Sequence, residues 1–165
     1  MQSRVVRTAL AAVCAATAVL TGLFATAGAA DAAPRELPRI TTTGDTFGTF
    51  GNHSYCRGAV RVSLTSPTPG ITRVTLISHG FHGQGQTWVK NPRCRVLFIA
   101  THTSATAYLK ETFIPATFGP RSGQKVSRDI RTGSGVVQFG VAPYAPNTAV
   151  RTPQGYGAGY YILVP

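Results

Sequence analysis

The sequence predicts an all-β domain: a Greek-key or immunoglobulin-like β-sandwich with one disulfide between strands, a small β-barrel being the alternative. Three observations carry this expectation. Apolar residues alternate at period two through much of residues 52–165. Glycine and proline, 18 and 11 in number, interrupt these runs at short intervals, and no stretch after the first third shows a 3.6-residue period. Finally, Cys56 and Cys94 both fall on the inward faces of separate strands.

Residues 1–32 have the organisation of a secretory signal peptide. Arg4 and Arg7 form a positive start, residues 9–29 are uncharged and rich in alanine, and Ala30-Asp31-Ala32 has the small-x-small form of a cleavage site. Cys14 follows Val13 inside the apolar run, which does not suit a lipid anchor, and the two arginines are not adjacent as a twin-arginine signal requires. Removal of this leader would leave no transmembrane helix and a protein that is secreted or held in the cell envelope. It would also leave two cysteines, which in an exported chain pair with each other. The loop they close, about 37 residues, corresponds to a stabilisation of roughly 4 kcal/mol in the chain-entropy model.

Residues 33–51 carry Pro34, Pro38, a threonine run and three glycines, the composition of a flexible arm, with Phe47 and Phe50 docking its end on the core. The domain proper is expected over 52–165. Its first strand runs over 55–65, with Cys56, Gly58, Val60, Val62 and Leu64 inward and Arg57, Ala59, Arg61, Ser63 and Thr65 outward. Pro67-Thr68-Pro69-Gly70 makes a turn. A second strand, 71–78, points Val74 and Leu76 inward and Arg73 and Thr75 outward. Residues 78–88, with three glycines, His79, His82 and Trp88, are read as a loop. The strand that opens with Cys94 is apolar on both faces, since Leu97 and Ile99 oppose Val96, Phe98 and Ala100, so it belongs in the middle of a sheet. Further strands are expected over 106–114, 126–130, 137–141 and 160–164, with Pro115, Gly119-Pro120, Gly133-Ser134-Gly135, Pro143 and Pro146 as punctuation.

The charge is one-sided. The chain has 16 Lys and Arg against 5 Asp and Glu; without Arg4, Arg7 and Asp31 the balance is fourteen against four, a net charge of +10. Such a protein attracts polyanions. Arg57, Arg61, Arg73 and Arg95 project outward from three strands, and Trp88 adds an aromatic surface, which makes these five the candidate ligand-binding residues. Lys125, Arg128 and Arg131 form a second basic cluster. No specific nucleic acid is implied; anionic cell-envelope polymers or another protein are the expected partners.

His79, His82 and His102 are the candidate metal ligands, since histidines from adjoining loops converge on zinc or copper in other folds. The pair lacks the glutamate of the H-E-x-x-H motif. Ser134 lies in a Gly-Ser-Gly turn without the G-x-S-x-G context of a nucleophile elbow. Four carboxylates, two of them in the arm, are too few for a convincing paired-carboxylate hydrolase. The glycine run 155–159 precedes a strand and not a helix, which excludes a phosphate loop. No cofactor is expected, and the balance of these observations favours a non-enzymatic binding module. A small metal-binding protein or hydrolase using the histidines, and a secreted inhibitor or antibacterial toxin acting through residues 79–88, are the alternatives.

The leader, Cys56-Arg57-Gly58, residues 80–85, Trp88, Asn91-Pro92 before Cys94, Thr132-Gly133-Ser134-Gly135 and the ending Pro153-Gln154-Gly155-Tyr156-Gly157 together resemble a group of small secreted β-proteins of mycolic-acid actinobacteria. The resemblance covers most of 52–165. It implies an exported β-domain and carries no catalytic residue across. An enoyl-CoA hydratase activity, sometimes assigned to chains of this kind, would need a much longer mixed α/β domain with paired carboxylates.

Overall fold

A computed structural model describes residues 35–165, so the signal-peptide reading of residues 1–32 lies outside the described residues. Nine strands run in chain order: β1 (Arg39–Thr41), β2 (Thr46–Phe50), β3 (Arg57–Thr65), β4 (Ile71–His82), β5 (Cys94–Ser104), β6 (Ala107–Phe118), β7 (Lys125–Arg131), β8 (Gly135–Tyr144) and β9 (Ala158–Val164). One short helix, α1 (Gly85–Lys90), lies between β4 and β5. The strands form two antiparallel sheets. Four strands are ordered β2-β3-β4-β7, and five are ordered β1-β9-β8-β5-β6. The sheets pack face to face as a β-sandwich; neither closes into a barrel, so the barrel alternative is set aside.

Period-two alternation explains the core. Val60, Val62 and Leu64 from β3, Val74 and Leu76 from β4, and Val96, Phe98 and Ala100 from β5 are all buried, as are Val137, Phe139, Val141, Tyr160 and Ile162 from β8 and β9. As its two apolar faces predict, β5 is paired on both sides, with β6 and β8. Aromatic side chains from both sheets meet near the disulfide. Phe81 stacks on Phe118 with ring centroids 5.4 Å apart, and Phe98 meets Phe118 edge-on at 6.3 Å and Phe47 at 6.2 Å. Such pairs add a modest amount to their burial.

Cys56, one residue before β3, and Cys94, the first residue of β5, form the expected bridge between the two sheets, with a Cα–Cα separation of 5.9 Å. Both are fully buried. Gly51 sits directly against the bridge: a Cβ there would collide with both sulfurs and lie 2.9 Å from the Arg95 carbonyl oxygen.

Three expectations are corrected. The stretch 33–51, read as an arm, supplies β1 to one sheet and β2 to the other across its described part. Its prolines and glycines punctuate two very short strands. Arg39 holds the crossing by pairing with Glu36 and with Asp45, at 2.8 Å to the latter. The stretch 78–88, read as a loop, is mostly regular. β4 continues to His82 because one extra residue is accommodated opposite β3, where Gly80 takes φ +98°. The Phe81 N–H then bonds the Gly119 carbonyl, and its ring enters the core. Helix α1 follows; six residues are too few to display a period. Lastly, Pro115 and Pro143 lie inside strands. β6 is an edge strand, where a residue without an N–H is tolerated. The Pro143 carbonyl accepts from the Gln154 N–H, ahead of the start of β9, so its ring nitrogen faces that side and the β5 ladder stays intact.

The Gly51 contact gives a direct test. Gly51→Ala should lose roughly 1–3 kcal/mol through overpacking. The same change in a Cys56→Ala/Cys94→Ala background should cost markedly less, because the colliding sulfurs are gone. Equal costs in the two backgrounds, measured by urea denaturation, would contradict the geometry.

Candidate functional site

The four-stranded sheet presents a polar outer face whose composition follows from strand alternation. β3 turns Arg57, Arg61, Ser63 and Thr65 outward, and β4 contributes Arg73, Thr75 and Ile77. β7 adds Lys125, Ser127, Asp129 and Arg131. Register lines these up in rows. Arg61 lies between Thr46 and Ile77, and Ile77 faces Lys125. Thr75 faces Ser63 and Ser127, with its hydroxyl 2.9 Å from that of Ser127. Arg57 faces His82, and Ile71 faces Arg131.

Each acidic residue is paired where it stands. Arg73 donates from Nε and Nη2 to the two Asp129 oxygens at 2.6 and 2.8 Å. That forked pair holds the Asp129 carboxyl below the usual carboxylate range and raises the Arg73 guanidinium. Glu36 and Asp45 both pair with Arg39 at the β3 side of this sheet, where Glu36 also accepts from Ser63 Oγ, and Glu111 pairs with Arg151. Three arginines therefore take up all four carboxylate side chains of residues 35–165. Eleven of the fourteen Lys and Arg side chains there keep no carboxylate partner. On this face the unopposed cations are Arg57, Arg61, Lys125 and Arg131, with Arg128 beside them on the β7 edge.

The predicted ligand-binding residues divide accordingly. Arg57, Arg61 and Arg73 share one face, as expected, although Arg73 is engaged by Asp129. Arg95 does not join them: it opens β5 in the other sheet, where its N–H donates to Asn52 Oδ1 at 2.8 Å. Trp88 stands on α1, half-buried against Gly83, whose Cβ would lie 2.5 Å from the ring, and 6.0 Å from the His53 ring. His53 Nε2 lies 2.7 Å from the Arg93 carbonyl oxygen. A carbonyl only accepts, so Nε2 carries the proton and Nδ1 accepts from Ser54 Oγ at 2.9 Å. Trp88 and His53 thus pack the disulfide end together. Lys125 and Arg131 read as a separate cluster in the sequence; the β4–β7 pairing brings them beside Arg61 and Arg73. Only strand order, which no local signal encodes, could have joined the two groups.

The candidate metal ligands do not converge. His79 and His82 are exposed on β4, His82 at the disulfide end. His102 is buried in the other sheet, eight residues along β5 from Cys94, roughly 26 Å at strand rise. Among the described residues no cluster of three His, Cys, Asp or Glu side chains has metal-binding geometry. Ser134 donates to the Pro165 carbonyl at 2.7 Å, the bond of a turn residue.

No family model, curated protein or solved structure matches this chain. Its chemistry must be read from the faces of the sandwich themselves.

His102 is only 3 % exposed, and neither ring nitrogen has a hydrogen-bond partner. Burial, reinforced by the Lys110 charge across the β5–β6 ladder, depresses its pKa. The unfolded chain therefore binds a proton near pH 6.5 that the folded chain refuses, and folding stability is complete above that pH and lost as pH falls below it. His102→Leu should abolish this part of the acid sensitivity and be at least as stable at pH 7, since it removes an unsatisfied buried polar group. Denaturation midpoints between pH 7.5 and 5 test this; parallel profiles for the two proteins would refute it.

Proposed function

We propose that the protein is an exported, non-enzymatic binding module that engages anionic polymers through the outer face of the four-stranded sheet. One observation carries the reading: all four carboxylates are held by three arginines, leaving Arg57, Arg61, Lys125 and Arg131 unopposed on one face around the row Ser63-Thr75-Ser127. Cations spread over one sheet face suit a repeating anion, because successive charged units can engage different ones. Long-range attraction draws the polymer in, and the arginine and lysine side chains donate charge-assisted hydrogen bonds to the anionic groups.

Export is supported by the apolar leader and by the Cys56–Cys94 bridge, which persists in an oxidising compartment. Among the described residues no helix is long and apolar enough to cross a membrane. Anionic polymers of the cell envelope are the natural partners for such a surface.

Heparin or a wall teichoic polymer at low salt is the appropriate probe. The protein should be retained, with affinity falling steeply between about 50 and 500 mM salt as screening increases. Arg61→Glu/Lys125→Glu should weaken binding at least tenfold and flatten the salt dependence, whereas Lys110→Glu on the other sheet should change it little. Absence of retention at low ionic strength, or equal effects of the two changes, would count against the reading.

A further inference from the structure

The outer face of the five-stranded sheet is built differently. Register places Glu111 of β6, Thr101 of β5, Gly140 of β8 and Gly159 of β9 in one row across the strands. Thr42 closes its far end, donating from its N–H to the Gly159 carbonyl at 3.1 Å. Two open depressions of about 350 Å³ each share Thr42, Thr101, Gly140 and Gly159, so together they make one trough with that row as its floor. Tyr108 and Tyr161 flank it on one side, and Tyr144 and Tyr156 on the other. Five strands at sheet spacing make the floor roughly 19 Å long.

Three features of the trough call for a ligand. The first is the glycine pair. Neither Gly140 nor Gly159 has a positive φ, so the backbone does not require glycine at either position, and mid-strand glycine costs stability. Their missing side chains keep the floor low, and threonine hydroxyls lie beside them, Thr42 Oγ1 donating to the Gly159 carbonyl at 3.3 Å. A Cβ on Gly140 would stand only 3.0 Å from Thr101 Oγ1, and one on Gly159 2.9 Å from Thr42 Oγ1. The second is the rim. β6 carries an extra residue opposite β5 between His102 and Ser104, and Leu109 there adopts φ +47°. A left-handed leucine is a strained choice where glycine would be relaxed. The bulge turns both Tyr108 and Leu109 toward the trough, and Tyr108 is 82 % exposed. The third is charge. Glu111, the one carboxylate along the trough, is neutralised by Arg151 at 2.7 Å, whose guanidinium lies 5.3 Å over the Phe113 ring.

We propose that this trough is a binding site for an uncharged glycan chain. A pyranose ring has an apolar C–H face and a rim of hydroxyls. Tyrosine rings on both sides of a low floor match the first, and Thr42, Thr101, Thr103 and Gln138 match the second. The neutral lining gives no hold on a polyanion, so this site and the basic face select different polymers from opposite sides of the sandwich.

The test is retention by a panel of neutral polysaccharides (cellulose, chitin, xylan, mannan, β-1,3-glucan and α-glucan) in about 1 M salt, where screening reaches within roughly 3 Å and the basic face is silenced. At least one should retain the protein. Tyr108→Ala, at an exposed rim position, and Gly140→Val, which fills the floor with a residue suited to strands, should each weaken that retention at least tenfold while circular dichroism and melting show a folded protein. If Gly140→Val fails to fold, Tyr108→Ala decides alone. Lack of retention across the panel overturns the proposal, as does undiminished binding by a folded variant. Retention that vanishes in high salt assigns the interaction to the basic face and overturns it as well.

Discussion

The bridge between Cys56 and Cys94 is the constraint on which the arrangement of the sandwich rests. It joins the start of β3 in one sheet to the start of β5 in the other. Everything near it is shaped to its presence. Gly51 has no side chain because the sulfurs occupy that space, the Asn52 side chain caps the Arg95 N–H, and the His53 ring spans from Ser54 to the Arg93 carbonyl. The aromatic row of Phe47, Phe98, Phe118 and Phe81 continues the same seam into the core. A domain of this size has a narrow margin of stability, and one covalent tie between layers is a substantial part of it.

With the layers fixed, the two outer faces are free to diverge. The four-stranded sheet gathers short hydroxyls and unopposed cations; the five-stranded sheet gathers glycines and tyrosines around a neutral floor. The small stock of carboxylates makes this possible. Each is placed where an arginine already stands, so none is left unpaired on the positive face or along the trough. Arg39 between Glu36 and Asp45 also ties together the segment that passes from β1 to β2, close to the buried Tyr160 hydroxyl, whose pKa is raised by that burial first and by the Asp45 charge second.

Local alternation made much of the fold legible. Cys56 through Leu64, Val74 with Leu76, and Val96 through Ala100 announce their buried faces directly, and the inward placement of both cysteines anticipates the bridge. What escaped depended on distant partners. β1 and β2 are too short to alternate visibly and exist because β9 and β3 offer open edges. Residues 78–82 look like a glycine loop, yet Gly80 absorbs one extra residue and lets Phe81 reach the core. The basic face was half legible: Arg57, Arg61 and Arg73 follow from alternation, but the addition of Lys125 and Arg131 and the loss of Arg95 follow from strand order. The trough gave no sequence signal at all, because Gly140 and Gly159 become neighbours only through the β8–β9 register.

The exposed edge at β7 has a consequence for how copies of this protein meet. An unpaired strand edge is an invitation to intermolecular sheet extension, and sandwiches must discourage it. Here the edge strand itself carries Lys125, Arg128 and Arg131, while the opposite sheet ends in β6 with Lys110 and Pro115. Two such edges approaching one another would bring like charges together before any backbone bond could form. The cations proposed to meet a polymer would therefore also oppose edge-to-edge contact between copies, and a polyanion that neutralised them would remove that opposition.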